Sequence, residues 1–169
     1  DIRRWRASHP RQQFDLRRVD FTHANIDGVD LRGDNLELAD FRWADLRGAN
    51  LSRANLHRAD FHKAVLVQTD LQCADLTFAN LEDADLSGSL LDRAIFGRTT
   101  FNHSTLREAS GLVSCVHRHP SELDPETIKR SPGLPIEFLR GCGVFAPYQA
   151  IVYRVVIGSP SDVKTERRV

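Results

Sequence analysis

Methionine is absent from the 169 residues, and cysteine, tyrosine and tryptophan are scarce, at three, two and two. Three cysteines, odd in number and far apart, make no disulfide framework and read as reduced thiols of a cytoplasmic protein. Charge of one sign is also lacking: Lys plus Arg and Asp plus Glu both total 23. Net charge therefore argues for no charged partner, nucleic acid included. No apolar run approaches the roughly 20 residues of a membrane span. No basic-then-apolar signal segment opens the chain, so no membrane partner is expected. With Asp1 in first place and no methionine, the chain reads as a piece of a longer protein.

Catalytic patterns are missing too. There is no nucleophile motif, no phosphate-cradling glycine loop and no paired carboxylate arrangement. Neither an enzyme nor a cofactor is expected. Cys115, His117 and His119 form C-x-H-x-H, with Cys142 further on. A zinc site needs about four ligands at suitable spacing, and these read instead as loop residues beside a cap, with no metal. His57, His62 and His103 read as surface imidazoles.

What the chain has is a repeat. From Leu16 to Leu106, nineteen consecutive positions five apart are Leu, Ile or Phe. The residue two before each is usually small, as Ala24, Ala39, Ala44, Ala49 and Ala54 are, and the one just before is Asp or Asn in fourteen of nineteen cases. A period of five fits neither a helix nor a flat strand. The central residue and the small one are two apart, so they share the inner face of a short extended stretch. The acid or amide between them faces out. The next two residues are polar, charged or Gly and suit a corner.

Each pentapeptide is then one side and one corner of a coil, and four sides place residues 20 apart in register. The aromatics agree. Phe21, Phe41, Phe61 and Phe101 fall in one column of period 20, broken only by Leu81. One coil cannot bury enough to fold alone, so the coils must stack. At about 4.8 Å per coil, close to five coils make a rod roughly 23 Å long.

The run of A-[DN]-[LF]-x-x over residues 14–110 resembles the pentapeptide-repeat family. The resemblance implies an all-β solenoid, a right-handed quadrilateral β-helix, with short α-helical caps. Val65, Leu90, Ile95, Thr100 and Thr105 depart from the acid or amide, and Asp34 from the small inner residue. A buried carboxylate is costly unless hydrogen-bonded, so Asp34→Ala is expected to be neutral or stabilising.

Residues 1–13 are expected to cap one end as a helix packed through Trp5 and ended by Pro10. Residues 111–143 are expected to cap the other, over Leu90, Ile95 and the last coil. There Asp124 is the N-cap, Pro125 takes the first helical position, and Lys129 and Arg130 lie in the last turn. Ile136, Phe138 and Leu139 follow as a second apolar segment. Residues 144–169 change character. Ile151, Val152, Val155, Val156 and Ile157 form a β-branched run like a buried strand. With the S-P-S-D-V loop at 159–163 it is similar to the opening of TIR-like α/β domains. Bare in water, that strand is expected to pair with its counterpart in a second chain, giving a homodimer.

For function, the candidate contact residues are Leu38, Trp43 and Phe78, bulky apolar groups at corners that should be wet. They point to a protein partner and to an interaction or scaffold module. The family resemblance implies bacterial signalling or defence as its setting. The resemblance also implies an alternative, an acidic rod that mimics duplex DNA and inhibits gyrase. Residues 11–110 carry 12 basic and 16 acidic side chains, too even a mixture to favour it. A second alternative is regulation of an enzyme housed in the TIR-like segment.

Overall fold

The structure, a computed structural model, describes residues 6, 8, 9 and 12–144. Trp5, the stretch expected to open a TIR-like domain and the expected strand residues Ile151, Val152, Val155, Val156 and Ile157 lie outside the described residues.

The chain winds as a solenoid whose coil closes every twenty residues. Asp15 bridges Asn35 in parallel, Asn35 bridges Asn55, and Asn55 bridges Asp75, and the three other sides repeat the same offset. Each contact is a single bridge rather than a long strand, because the corner comes after every third residue. Inside, the central residues and the small residues are buried together: Leu46, Ala49, Leu51, Ala54 and Leu56 are all at most 1% exposed. The phenylalanine column stacks as expected. Phe21 and Phe41 lie 5.1 Å apart between ring centroids, and Phe41 and Phe61 lie 4.8 Å apart with 1° between their planes. Beyond the break at Leu81, Phe101 meets Phe96 edge to face at 5.2 Å.

The backbone accounts for the Asp or Asn before each centre. In the pentapeptide Leu56–Asp60, Leu56 N–H donates to Asp75 O at 2.9 Å and Arg58 N–H to Thr77 O at 3.0 Å, both in the next coil. Asp60 N–H donates to Ala39 O in the preceding coil at 3.0 Å, and Ala59 N–H closes the turn on Leu56 O at 3.0 Å. One donor remains, His57 N–H, and the Asn55 side chain accepts it at 3.2 Å. The same bond recurs from Thr77 N–H to Asp75 at 3.0 Å and from Ser87 N–H to Asp85 at 3.0 Å. A backbone donor left without a partner is costly. The outward acids are therefore turn-closing acceptors as well as surface charge.

Asp34 corrects an expectation. It is fully buried, and it is not idle there. Arg6, itself 7% exposed, pairs with its carboxylate, and Phe14 N–H donates to it at 2.9 Å. Arg6 also donates to Asp30 O at 3.0 Å and stands 4.7 Å from the Phe14 ring centroid. Arg6 is thereby pinned to the first coil.

The pentapeptide pattern ends at 110, but the coil does not. Ser110 bridges Leu90. Strand β1 (Ile95–Phe96) then pairs in parallel with β2 (Val116–His117), offset by 21, and Thr100 bridges Glu122, offset by 22. The last regular coil exposes an edge of backbone groups, and an irregular coil with two added residues satisfies it. Over this end lie α1 (Pro125–Arg130) and α2 (Ile136–Gly141). Asp124 caps α1, accepting from Thr127 N–H at 2.8 Å, and also accepts from His103 N–H at 3.1 Å. Ser131 Oγ accepts the Leu106 N–H at 2.8 Å. Phe138 plugs the open core, 6.0 Å from Phe96 and 5.6 Å from Phe101 between ring centroids. The cap thus rests on Phe96 and Phe101. Leu90, expected beneath it, points outward and remains 37% exposed.

Candidate functional site

The corner geometry places the candidate contact residues. The second residue after each centre donates its N–H along the rod axis to the next coil, as Leu38 does to His57 O at 2.9 Å and Phe78 to Gly97 O at 2.9 Å. That direction forces left-handed backbone. Gly28, Gly33, Gly48 and Gly88 meet the demand without a side chain; Leu38, Trp43 and Phe78 meet it at φ 60°, 63° and 61°. Bulky residues are uncommon there and bear a conformational cost. The period of five marks these corners but does not by itself give their handedness. The signal was available, because Gly recurs four times at that one position of the repeat.

Leu38, Trp43 and Phe78 are 38%, 50% and 37% exposed. Leu38 and Phe78 share one corner two coils apart, and Trp43 sits on the next corner along the chain. Each ring has a polar escort. The Trp43 ring stacks on His23 at 5.8 Å, meets the edge of His62 at 6.2 Å and carries Lys63 Nζ at 4.4 Å from its centroid. The Phe78 ring lies between the Arg58 and Arg98 guanidiniums, at 5.5 and 5.6 Å, with His57 at its edge at 5.2 Å. His57 Nδ1 is 2.7 Å from Thr77 Oγ1. His62 Nδ1 stands 3.7 Å from Glu82 and is buried without a hydrogen bond.

The side between these corners carries Asp20, Asp40 and Asp60, and the Phe21, Phe41 and Phe61 stack lies directly beneath it. Arg42 binds Asp40 at 2.6 Å and reaches Asp60 at 3.9 Å. Its side-chain hydrogen bond to Asp40 holds that carboxyl below its ordinary range. The Arg32 hydrogen bond does the same for Asp30. Arg17 pairs with Asp15 at 2.7 Å and Arg47 with Asp45 at 3.0 Å. Four arginines thus each sit two residues after an acid and neutralise it.

Cys115 and Cys142 pack into the core of the capped end. Burial pushes the Cys115 and Cys142 thiols up to about 12, which leaves them protonated and unreactive. His117 packs 5.8 Å from Phe96 and 5.3 Å from Phe138 between centroids. Burial lowers its pKa, and neither ring nitrogen has a hydrogen bond. No group of His, Cys, Asp and Glu able to hold a metal occurs among the described residues. None of their helices is long and apolar enough to cross a membrane. A cavity of about 460 Å³ at the capped end is lined by Asp92, Glu108, Leu112, Ser114 and Leu134 among others.

The sequence matches the family described as pentapeptide repeats, in eight copies over residues 12–33, 35–72 and 69–108. The match ends at residue 108, and nothing in the comparisons supports the expected likeness of residues 144–169 to a TIR-like domain. No curated protein matches. Among solved structures, a pentapeptide repeat protein of the Arabidopsis thaliana thylakoid lumen is 31% identical, covering 56% of this chain and 63% of its own, with a TM-score of 0.41. QnrB1, a plasmid-mediated fluoroquinolone resistance protein, is 26% identical, covering 65% of this chain and 60% of its own, with a TM-score of 0.46. A pentapeptide repeat protein from Nostoc PCC 7120 is 33% identical over 54% of this chain and 76% of its own, at a TM-score of 0.29. The chain thus spans less than two thirds of the first two relatives. Proteins of this kind form right-handed quadrilateral β-helices.

Proposed function

Because the chain belongs to the pentapeptide-repeat family, we propose that it is a non-enzymatic protein-interaction and scaffold module, part of a longer bacterial signalling or defence protein. The observation that carries this reading is the placement of Leu38, Trp43 and Phe78. Three bulky apolar side chains stand half in water on two adjacent corners, in a backbone conformation that suits glycine better. Nothing in coil winding requires them, since glycine or a polar residue fills nearly every other such position. Exposed aromatic groups ringed by polar side chains are typical of contact surfaces. The free thiols Cys73, Cys115 and Cys142 suit a reducing cytoplasm.

An acidic DNA mimic is less well supported. Such a rod needs dense, unneutralised negative charge, whereas Asp15, Asp30, Asp40 and Asp45 are each tied to an arginine. The test of the leading reading is site-directed photocrosslinking in the source cell. A crosslinker at position 43 or 78 should trap a protein that one at position 68, on another corner, does not. Equal trapping at all three positions sinks it.

A further inference from the structure

Along one corner, successive coils present Arg18, Leu38, Arg58, Phe78 and Arg98. Cation and apolar group alternate over five coils. The arginines that follow an Asp by two residues are consumed locally, as Arg17 is by Asp15 and Arg42 by Asp40. Arginines one residue further on cannot fold back in that way. The left-handed turn carries them to the apex, away from the acid that closes the same turn. Arg18, Arg58 and Arg98 accordingly make no ion pair among the described residues, and Glu37 is the single acid on that corner.

Arg58 and Arg98 are also held in place. Each guanidinium carbon lies over the Phe78 ring, at 5.5 and 5.6 Å from its centroid. A guanidinium stacked on a ring keeps its N–H edge free for a carboxylate, and its orientation has already been fixed. The two arginines are two coils apart, about 10 Å. Acids three residues apart on a chain extended as polyproline II share one face and span about the same distance, at about 3.1 Å per residue.

We propose that this corner is a docking strip for an extended acidic segment of a protein partner. Carboxylates of the segment engage Arg58 and Arg98, and an apolar side chain between them rests on Phe78. The proposal relies on reading the exposed corners as a protein-contact surface and adds the partner's chemistry. A nucleic acid fits less well. Its phosphates are continuous and its body is wide, so it would overhang Asp20, Asp40 and Asp60 on the adjoining side. A peptide can space its acids to meet the arginines alone.

The experiment is fluorescence anisotropy on the full chain. The probe is a fluorescein-labelled peptide with glutamate at every third position and leucine between. The same peptide with lysine for glutamate and a labelled oligo(dT) are run beside it. The glutamate peptide should bind, more weakly as salt rises, and the lysine peptide should not. Arg58→Glu with Arg98→Glu should weaken binding by about tenfold or more, with circular dichroism and melting temperature unchanged. Phe78→Asn, which tolerates left-handed backbone, should weaken it while preserving the fold. Failure of the glutamate peptide to bind, equal binding by the variants, or tighter binding of oligo(dT) each overturns the proposal. Photocrosslinking at position 78 separates the two claims. A trapped protein without glutamate-peptide binding means a contact surface whose partner is not acidic. Binding of neither kind removes both.

Discussion

The Arg6 guanidinium closes on the Asp34 carboxylate inside the first full coil, with both side chains shut away from water. A pair so buried owes little of its worth to attraction alone. Removing either partner strands the other charge, at a cost of about 3–5 kcal/mol. Asp34→Ala should therefore destabilise the protein by about that much, against the expectation from its place in the repeat. Arg6→Met combined with Asp34→Leu should recover most of the loss. Urea unfolding of the two variants measures this; a neutral Asp34→Ala would show that the pair holds nothing.

Phe61 lies between Phe41 and Leu81 in the column, and the coils on either side are locked by backbone bonds. Phe61→Ala should cost about 3–5 kcal/mol, because the cavity cannot collapse. His62→Ala, one residue on and partly exposed, should cost under about 0.5 kcal/mol. Similar losses for the two would contradict the assignment of inside and outside.

Val65 occupies a place where an Asp or Asn would accept the N–H of the residue two later. Asp45 and Asp85 lie in the coils on either side, so an added acid would meet like charge. Val65→Asn supplies the acceptor without the charge and should raise stability by about 0.5–1 kcal/mol. The converse change, Asp85→Ala, removes the acceptor of Ser87 N–H and should lower stability by a similar amount. Denaturant midpoints of the two variants should move in opposite directions.

His117 is neutral under the cap because burial lowers its pKa from 6.5. The unfolded chain takes up a proton at about 6.5, and the folded chain does so only at lower pH. Stability from this group is complete above about pH 6.5 and falls as pH drops through the window between the two values. Melting temperature should decline over that window, and less steeply in His117→Phe. A Gly141→Ala change should damage the same contact at any pH, since its methyl would come within 2.2 Å of the His117 ring. An unchanged pH profile in His117→Phe would assign the decline to other groups.

The run of Ile151, Val152, Val155, Val156 and Ile157 is proposed to pair with its copy in a second chain. Light scattering should give a dimer for the full chain and a monomer for a version ending at Gly143. A monomer in both cases removes the homodimer.

The sequence alone determined the solenoid, its coil of twenty, the inward residues and the phenylalanine column. Each of these follows from a period that side-chain burial imposes on every repeat independently, so a single chain shows it nineteen times over. It also showed Asp124 and Pro125 starting a helix, because capping is local chemistry. Three features needed the tertiary structure. The partner of Asp34 is 28 residues away, at a distance no repeat spacing encodes. The coil continues past residue 110 to Glu122 because the exposed edge of the previous coil demands hydrogen bonds, whatever side chains supply the backbone. The arginines at the corners divide into paired and free because one residue of displacement crosses a left-handed turn. In sequence Arg17 and Arg18 are neighbours of one kind; in space the first folds back on Asp15 and the second faces the solvent, where a partner can reach it.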